Sequence, residues 1–219
     1  MESPTPPAYD VDHMKFLLDL RRRGIMDAPV LRAMEEVPRD KFVKPMQAQW
    51  AYADRAMPID CGQTISQPYV VAYMTEQLEV EPQHHVLEVG TGSGYQAAIL
   101  SRLAAKVTSI ERYRTLADAA RIRLRALCYD NVDIIVGDGM AGAPDRAPFD
   151  RIIVTAAAAA VPQPLVDQLV VGGMMVVPVG PQDEHQTLVK LKRTEDGVER
   201  TELIDVRFVP LLPGQAQEL

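Results

Sequence analysis

Glu88-Val89-Gly90-Thr91-Gly92-Ser93-Gly94-Tyr95 sets glycines at alternate positions, directly after a short apolar run and directly before an amphipathic one. His85-Val86-Leu87-Glu88-Val89 reads as a strand, and the segment after the glycines as a helix to about Ala104. Glycine at such a junction lets the backbone turn tightly and lets a ligand approach it closely. The same alternation continues downstream. Val107-Thr108-Ser109-Ile110 is the next strand, ending at Glu111, and the helix after it carries Leu116, Ala120, Leu124 and Leu127 on one face. Val132 to Val136 and Phe149 to Val154 are further strands. Pro162 to Val170 reads as a helix, and Met174 to Pro178, Thr187 to Lys192 and Glu202 to Phe208 as the remaining strands. Strand and helix alternating at this spacing predict an α/β, doubly wound, mostly parallel seven-stranded sheet with helices on both faces.

Upstream the pattern is helical. Asp10 to Arg23 places Val11, Met14, Leu17 and Leu18 in one stripe, with Gly24 as C-cap. Asp27 can cap a second helix with Pro29 in its first turn, stopped at Val37 by Pro38. Residues 39–67 have little periodicity, and Pro68 opens a third helix to about Val80. The expected organisation is one domain: a disordered lead-in over 1–9, a helical extension over 10–80, a core over 81–213 and a tail over 214–219 to which no role is assigned.

Composition bounds the function. The chain has 219 residues, 47% hydrophobic and 24% charged, enough for one domain with a real core. Lys plus Arg total 23 against 30 Asp plus Glu, a formal net charge of -7, which argues against a broad phosphate-binding surface. Cys61 and Cys128 have no metal-type spacing and read as reduced thiols. The N-terminus lacks the basic and apolar regions of a secretory signal, and no apolar stretch approaches the ~20 residues of a membrane span. The expectation is a cytoplasmic monomer without nucleic-acid or membrane partners.

The glycine spacing also selects the ligand. A dinucleotide fingerprint needs Gly-x-Gly-x-x-Gly or Ala, whereas here the third glycine comes one residue early and Tyr95 takes the place of the small residue. Glu-x-Gly-x-Gly-x-Gly instead resembles motif I of class I S-adenosylmethionine-dependent methyltransferases, whose sheet is Rossmann-like. That cofactor has no pyrophosphate and carries a cationic sulfonium, so acidic groups around the pocket are tolerable. Glu111, ending the second strand, is placed to reach ribose hydroxyls, and Asp138 of Val136-Gly137-Asp138-Gly139 to reach the adenine amino group. A tight turn with no ligand is the alternative for the glycines alone. Amino-methylating enzymes carry Asn/Asp-Pro-Pro-aromatic after the fourth strand, where this chain reads Val154-Thr155-Ala156-Ala157-Ala158. Carbon-5 pyrimidine enzymes need a Pro-Cys nucleophile, and neither cysteine follows a proline. No carboxylate cluster suggests a metal.

Gly62-Gln63-Thr64-Ile65-Ser66-Gln67-Pro68-Tyr69 is similar to the signature that precedes the core in protein-L-isoaspartate O-methyltransferases. Val86 to Ala98, Gly137-Asp138-Gly139, Ala147-Pro148-Phe149-Asp150, Gly172-Gly173 with Val176 to Gly180, and Val206-Arg207-Phe208-Val209-Pro210-Leu211 follow in family order. The resemblance spans roughly residues 10–213. It implies methyl transfer from S-adenosyl-L-methionine to the free α-carboxylate of L-isoaspartyl residues in damaged proteins and peptides, whose ester then returns through a succinimide. By the same resemblance Ser66 is catalytic. Glu88, Gly90, Thr91, Gly92, Ser93, Gly94, Glu111, Arg112, Asp138, Gly139 and Thr155 hold the cofactor. Thr64, Ile65, Gln67, Pro68, Val209, Pro210 and Leu211 meet the substrate. Ser66 is also a good N-cap for the Pro68 helix, and both roles are compatible. The chain departs from the family after Thr155, where Ala156 to Ala160 is unbroken. A methyltransferase of another carboxylate and a catalytically silent binding paralogue are the competing readings. His84 and His85 read as edge residues of a strand, not as catalytic ones.

Overall fold

The computed structural model describes residues 11–182 and 184–216. The expected lead-in over 1–9 and the last three residues of the tail lie outside the described residues. Helix α1 spans Val11–Arg22, and Gly24 follows it at φ +97°. Its buried face differs from the expected stripe: Phe16 and Leu20 are buried, whereas Met14 and Leu18 are exposed. Apolar residues fall all round this helix, so composition leaves its phase open. The phase is set by packing Phe16 and Leu20 with Val30, Leu31 and Met34, each such burial contributing ~1.5–3 kcal/mol. Helix α2 spans Ala28–Glu36, and Asp27 caps it by accepting from the Val30 N–H at 2.8 Å.

The aperiodic stretch contains two short 3-10 turns, Arg39–Phe42 and Pro45–Trp50, and a two-residue ladder of β1 (Met57–Pro58) with β2 (Thr64–Ile65). A ladder that short has no alternation to read. Helix α3 (Pro68–Leu78) begins at the expected proline.

The core follows as β3 (His85–Val89), α4 (Tyr95–Ser101), β4 (Lys106–Glu111), α5 (Arg114–Ala126), β5 (Val132–Val136), β6 (Phe149–Val154), α6 (Gln163–Asp167), β7 (Leu169–Val179), β8 (Gln186–Arg193) and β9 (Val198–Val206). The sheet order is β5-β4-β3-β6-β7-β8-β9; pairing is parallel through β7 and antiparallel at β8 and β9. This is the expected doubly wound, mostly parallel seven-stranded sheet. Strand alternation divides the core. Val86, Ile153 and Val176 pack with Met74 and Leu78 of α3, whereas Leu87, Ile152 and Met175 pack with Leu165 and Val166 of α6.

Several boundaries differ from expectation, and helix α4 ends at Ser101, short of Ala104. Helix α6 covers only part of Pro162–Val170. Strand β7 runs through Gly172-Gly173, where a register shift against β6 absorbs the irregular stretch. Strand β9 starts at Val198 because it pairs Arg193 with Val198 across a turn closed by Thr194 N–H on Gly197 O at 2.8 Å. Pairing, not apolar alternation, defines that edge.

Candidate active site

Strand order reverses beside β3, where the chain leaves toward β4 and β5 and later returns as β6. Crevices at the carboxyl ends of strands form at such points. Here a cleft opens, lined by the glycine turn, the end of β4, the segment 63–66 and residues 209–212.

The turn is built by backbone chemistry. Gly90, Gly92 and Gly94 all have positive φ, at +101°, +52° and +87°. Gly90 and Thr91 donate their N–H groups to Ile110 O at 2.8 and 3.2 Å, tying the turn to the end of β4. Glu111, 5% exposed, accepts from Gly92 N–H at 2.8 Å through Oε2 and from Tyr113 N–H at 3.0 Å through Oε1. Its carboxylate is therefore fixed at the rim with lone pairs to spare. The Thr155 hydroxyl lies 2.8 Å from Gly90 O and 3.0 Å from Val89 O, joining the end of β6 to the turn.

Residues 209–216 cross this end of the sheet as a strap. Ala157 N–H donates to Val209 O and Leu211 N–H to Ala157 O, at 2.8 and 2.7 Å. Farther on, Ala216 N–H donates to Arg112 O at 3.1 Å and Gln215 Nε2 to Val136 O at 3.3 Å. The unbroken alanines have a structural use here: Ala157 is buried and bridges Pro210, its size letting the strap lie close, while buried Ala158 bridges Val179 at the end of β7. The tail, given no role from sequence, thus reaches the ends of β4 and β5.

The cleft brings together Ser66, Thr64, Ile65, Gly90, Thr91, Gly92, Ser93, Glu111, Arg112, Gly139, Thr155, Val209, Pro210 and Leu211. Five other residues assigned from sequence do not line it. Asp138 accepts from Met140 N–H at 2.9 Å through Oδ1, closing its own turn while Gly139 faces the cleft. Gly94 caps α4 against Ala120 and Leu124. Gln67 Nε2 donates to Asp54 Oδ2 at 2.8 Å, and Pro68 is buried as the first residue of α3. Both hold the Ser66 segment from outside the cleft. Glu88 lies beneath the turn, fully buried, accepting from Ser109 Oγ, which also meets Thr91 Oγ1. Because Val89 lines the cleft, strand alternation sends Glu88 to the other face.

Burial pushes the Glu88 carboxyl up to about 8, reinforced by the charge of Glu111 and opposed by the Ser109 hydrogen bond. Its neutral form is therefore favoured at pH 7, and Glu111 is the acidic side chain that lines the cleft. His84 and His85 sit at the opposite end of β3, and burial lowers both. Gln63, Gln96 and Tyr113 line the cleft without having been singled out from sequence. So does Tyr95, whose ring meets the buried guanidinium of Arg39 at 4.7 Å.

The arrangement suits a nucleoside-bearing sulfonium. A Cβ at Gly90 would strike the Thr155 hydroxyl and one at Gly139 would lie 2.5 Å from Val89 Cγ1, so only glycine allows the backbone the close approaches that shape this rim of the cleft. Glu111 presents acceptors for a diol, and Arg112 Nε is buried with no hydrogen-bond partner. Among the described residues no His, Cys, Asp or Glu cluster could hold a metal ion, and no helix is long and apolar enough to cross a membrane.

Known proteins agree with the geometry. A protein-L-isoaspartate O-methyltransferase of Rhodopseudomonas palustris (strain BisB18) is 58% identical over 216 residues, covering 99% of this chain and 98% of its own. One from Parvibaculum lavamentivorans is 59% identical over 210 residues, 94% of each chain. Among solved structures, a Plasmodium falciparum protein described as a protein-L-isoaspartate O-methyltransferase, in complex with S-adenosyl-L-homocysteine, superposes with a TM-score of 0.81 at 28% identity, covering 93% of this chain and 99% of that one. The profile of the protein-L-isoaspartate(D-aspartate) O-methyltransferases matches residues 11–216, nearly the whole chain and every segment that builds the cleft, and the chain belongs to that family.

Proposed function

We propose that this chain methylates the free α-carboxylate of L-isoaspartyl residues in damaged proteins and peptides, with S-adenosyl-L-methionine as donor, so that the ester can return through a succinimide toward normal aspartate. The observation that carries the reading is one cleft shared by the Ser66 segment and the glycine turn with Glu111. When bound, the cofactor supplies an electrophilic methyl group on its sulfonium.

The acceptor carboxylate is already ionised at neutral pH, so no general base is required. The chain's contribution is position and exclusion of water. Glu111 holds the ribose hydroxyls with the lone pairs its backbone donors leave free. The Ser66 hydroxyl donates to the acceptor carboxylate and aims one oxygen along the transfer axis. Val209, Pro210 and Leu211 lie against the bound peptide, and the strap they begin closes the site over the reacting groups. Thr64 and Ile65 meet the peptide from the other side, while Gln67 and Pro68 act by fixing Ser66. The enzyme works as a cytoplasmic monomer on polypeptides, without nucleic-acid or membrane partners. The net charge of -7 and the two unpaired cysteines support that setting.

Methyl transfer from labelled cofactor to two peptides that differ only in L-isoaspartate or L-aspartate tests the reading. Base-labile label on the isoaspartyl peptide alone is the expected result; no label on either peptide, with cofactor binding intact, overturns it. Ser66→Ala should lower kcat by about 10- to 100-fold, the worth of one charge-assisted hydrogen bond, with cofactor affinity unchanged. Equal loss of both would make Ser66 a structural residue. Glu111→Ala should weaken cofactor binding by a similar factor in titration calorimetry, and an unaltered Kd would remove Glu111 from the ribose site.

A further inference from the structure

Arg39 is the largest fully buried side chain in the described structure, and it carries a charge. Such burial is unfavourable unless the charge is well compensated. Among the described residues no carboxylate pairs with it. Its closest partners are two backbone carbonyls, Ala51 O at 2.8 Å from Nε and Ser66 O at 2.7 Å from Nη2, together with the Tyr95 side chain, and the charge of Asp54 favours it from farther off. Nη1 has no hydrogen-bond partner. A buried guanidinium that spends its direct hydrogen bonds on carbonyls, with no carboxylate in ion-pair contact, invites a reason beyond stability.

The place of those contacts supplies the reason. Ser66 O belongs to the peptide that sets the direction of the Ser66 side chain. Tyr95 opens α4 immediately after Gly94, on the cofactor side of the cleft. The β1–β2 ladder is two residues long and cannot define this segment alone. Asp54 secures the residues after Ser66, accepting from Gln67 Nε2 at 2.8 Å and from Tyr69 N–H at 2.9 Å. Arg39 secures Ser66 itself and rests on the first residue of α4, next to the glycine turn. One rigid planar fork thus spans the acceptor side and the donor side of the site.

We propose that Arg39 is a positioning residue that sets the distance and angle between the Ser66 hydroxyl and the methyl donor. The proposal rests on the reading of Ser66 as the residue that orients the acceptor. A reaction with no base to supply depends strongly on near-attack geometry, where a misplacement of about 1 Å can cost ~100-fold in rate. Lysine cannot substitute, because a single ammonium on a flexible stem lacks the fork that reaches both carbonyls and stacks on the ring.

The test uses Arg39→Lys, which keeps the charge, and Arg39→Met, which removes it; replacing a buried charge by an apolar side chain of similar length is often tolerated by the fold. Three quantities are measured for the full chain: kcat with an isoaspartyl peptide, Kd for S-adenosyl-L-homocysteine, and backbone hydrogen exchange over residues 63–67 and 85–89. Both variants should lose about 100-fold in kcat at unchanged Kd, with faster exchange at Ser66 and Gln67 but not in β3. Wild-type kcat in Arg39→Lys would overturn the proposal, as would parallel losses of kcat and cofactor affinity. If the wild-type chain leaves the isoaspartyl peptide unmethylated, the proposed reaction fails. Exchange then still decides on Arg39: unaltered protection at Ser66 in both variants refutes its positioning role.

Discussion

Glu88→Gln is expected to flatten the dependence of stability on pH between about pH 5 and pH 8, measured by urea unfolding of both chains across that range. The side chain is fully buried, one carboxyl oxygen accepts from Ser109 Oγ, and Oε1 has no hydrogen-bond partner. Burial raises its pKa from 4.5 to about 8. Between those values the unfolded chain has released the proton while the native chain retains it. The unfolded state therefore binds fewer protons, and stability falls as pH rises. The contribution is fully present below the ordinary carboxyl value and lost by the time pH passes the native one. At about 1.4 kcal/mol per pH unit, the full span is on the order of 5 kcal/mol for this group alone. Glutamine keeps the shape and has no proton to lose, so the difference between the two unfolding curves isolates Glu88. Parallel curves would mean that Glu88 is ionised in the native state, and the neutral carboxyl beneath the glycine turn would have to be abandoned.

The same residue shows where sequence stops being informative. The spacing of Glu88 to Gly94 locates a ligand turn, and the runs at Val132–Val136 and Phe149–Val154 give strand boundaries directly, because short apolar segments of β-branched residues have few other uses. The direction of one side chain is a different matter. Parity along β3 would have put Glu88 opposite Val89 and so away from the cleft, yet the family pattern draws attention to its place beside the glycines. Asp138 and Gly139 repeat the lesson at the end of β5, where the acid closes its own turn and the glycine faces the cleft. The phase of α1 was not legible, because Met14 and Leu18 are as apolar as the residues buried in their stead. Arg39 was not legible for another reason. Its partners Ala51 and Ser66 stand 12 and 27 residues away in a stretch without periodicity, so only the folded chain brings the three together.

Gly90→Ala should damage the site far more than Gly92→Ala, although both glycines belong to one turn and both have positive φ. Two costs combine at Gly90. Its φ of +101° lies outside the left-handed well that ordinary residues tolerate, a strain of about 1–3 kcal/mol. An added Cβ would also meet the Thr155 hydroxyl, which donates to the carbonyls of Val89 and Gly90. Displacing that hydroxyl takes the bond from Gly90 O, for about 1–3 kcal/mol more, whereas Val89 O keeps the Thr155 N–H at 2.9 Å. At Gly92 the φ of +52° falls within the left-handed region, and a Cβ would find only Ile59 Cδ1 at 3.5 Å, an ordinary contact. The cost there is the ~1–2 kcal/mol of a non-glycine residue in that conformation. Cofactor Kd and Tm should accordingly both suffer more in Gly90→Ala. The double variant Gly90→Ala/Thr155→Ala separates the two components, since residues in contact show their coupling in such a cycle. It should recover the part due to collision with the hydroxyl and keep the part due to backbone strain. Equal losses in the two single variants would mean that the turn adapts freely, and that the bond from Thr155 to the end of β3 does not shape the cleft.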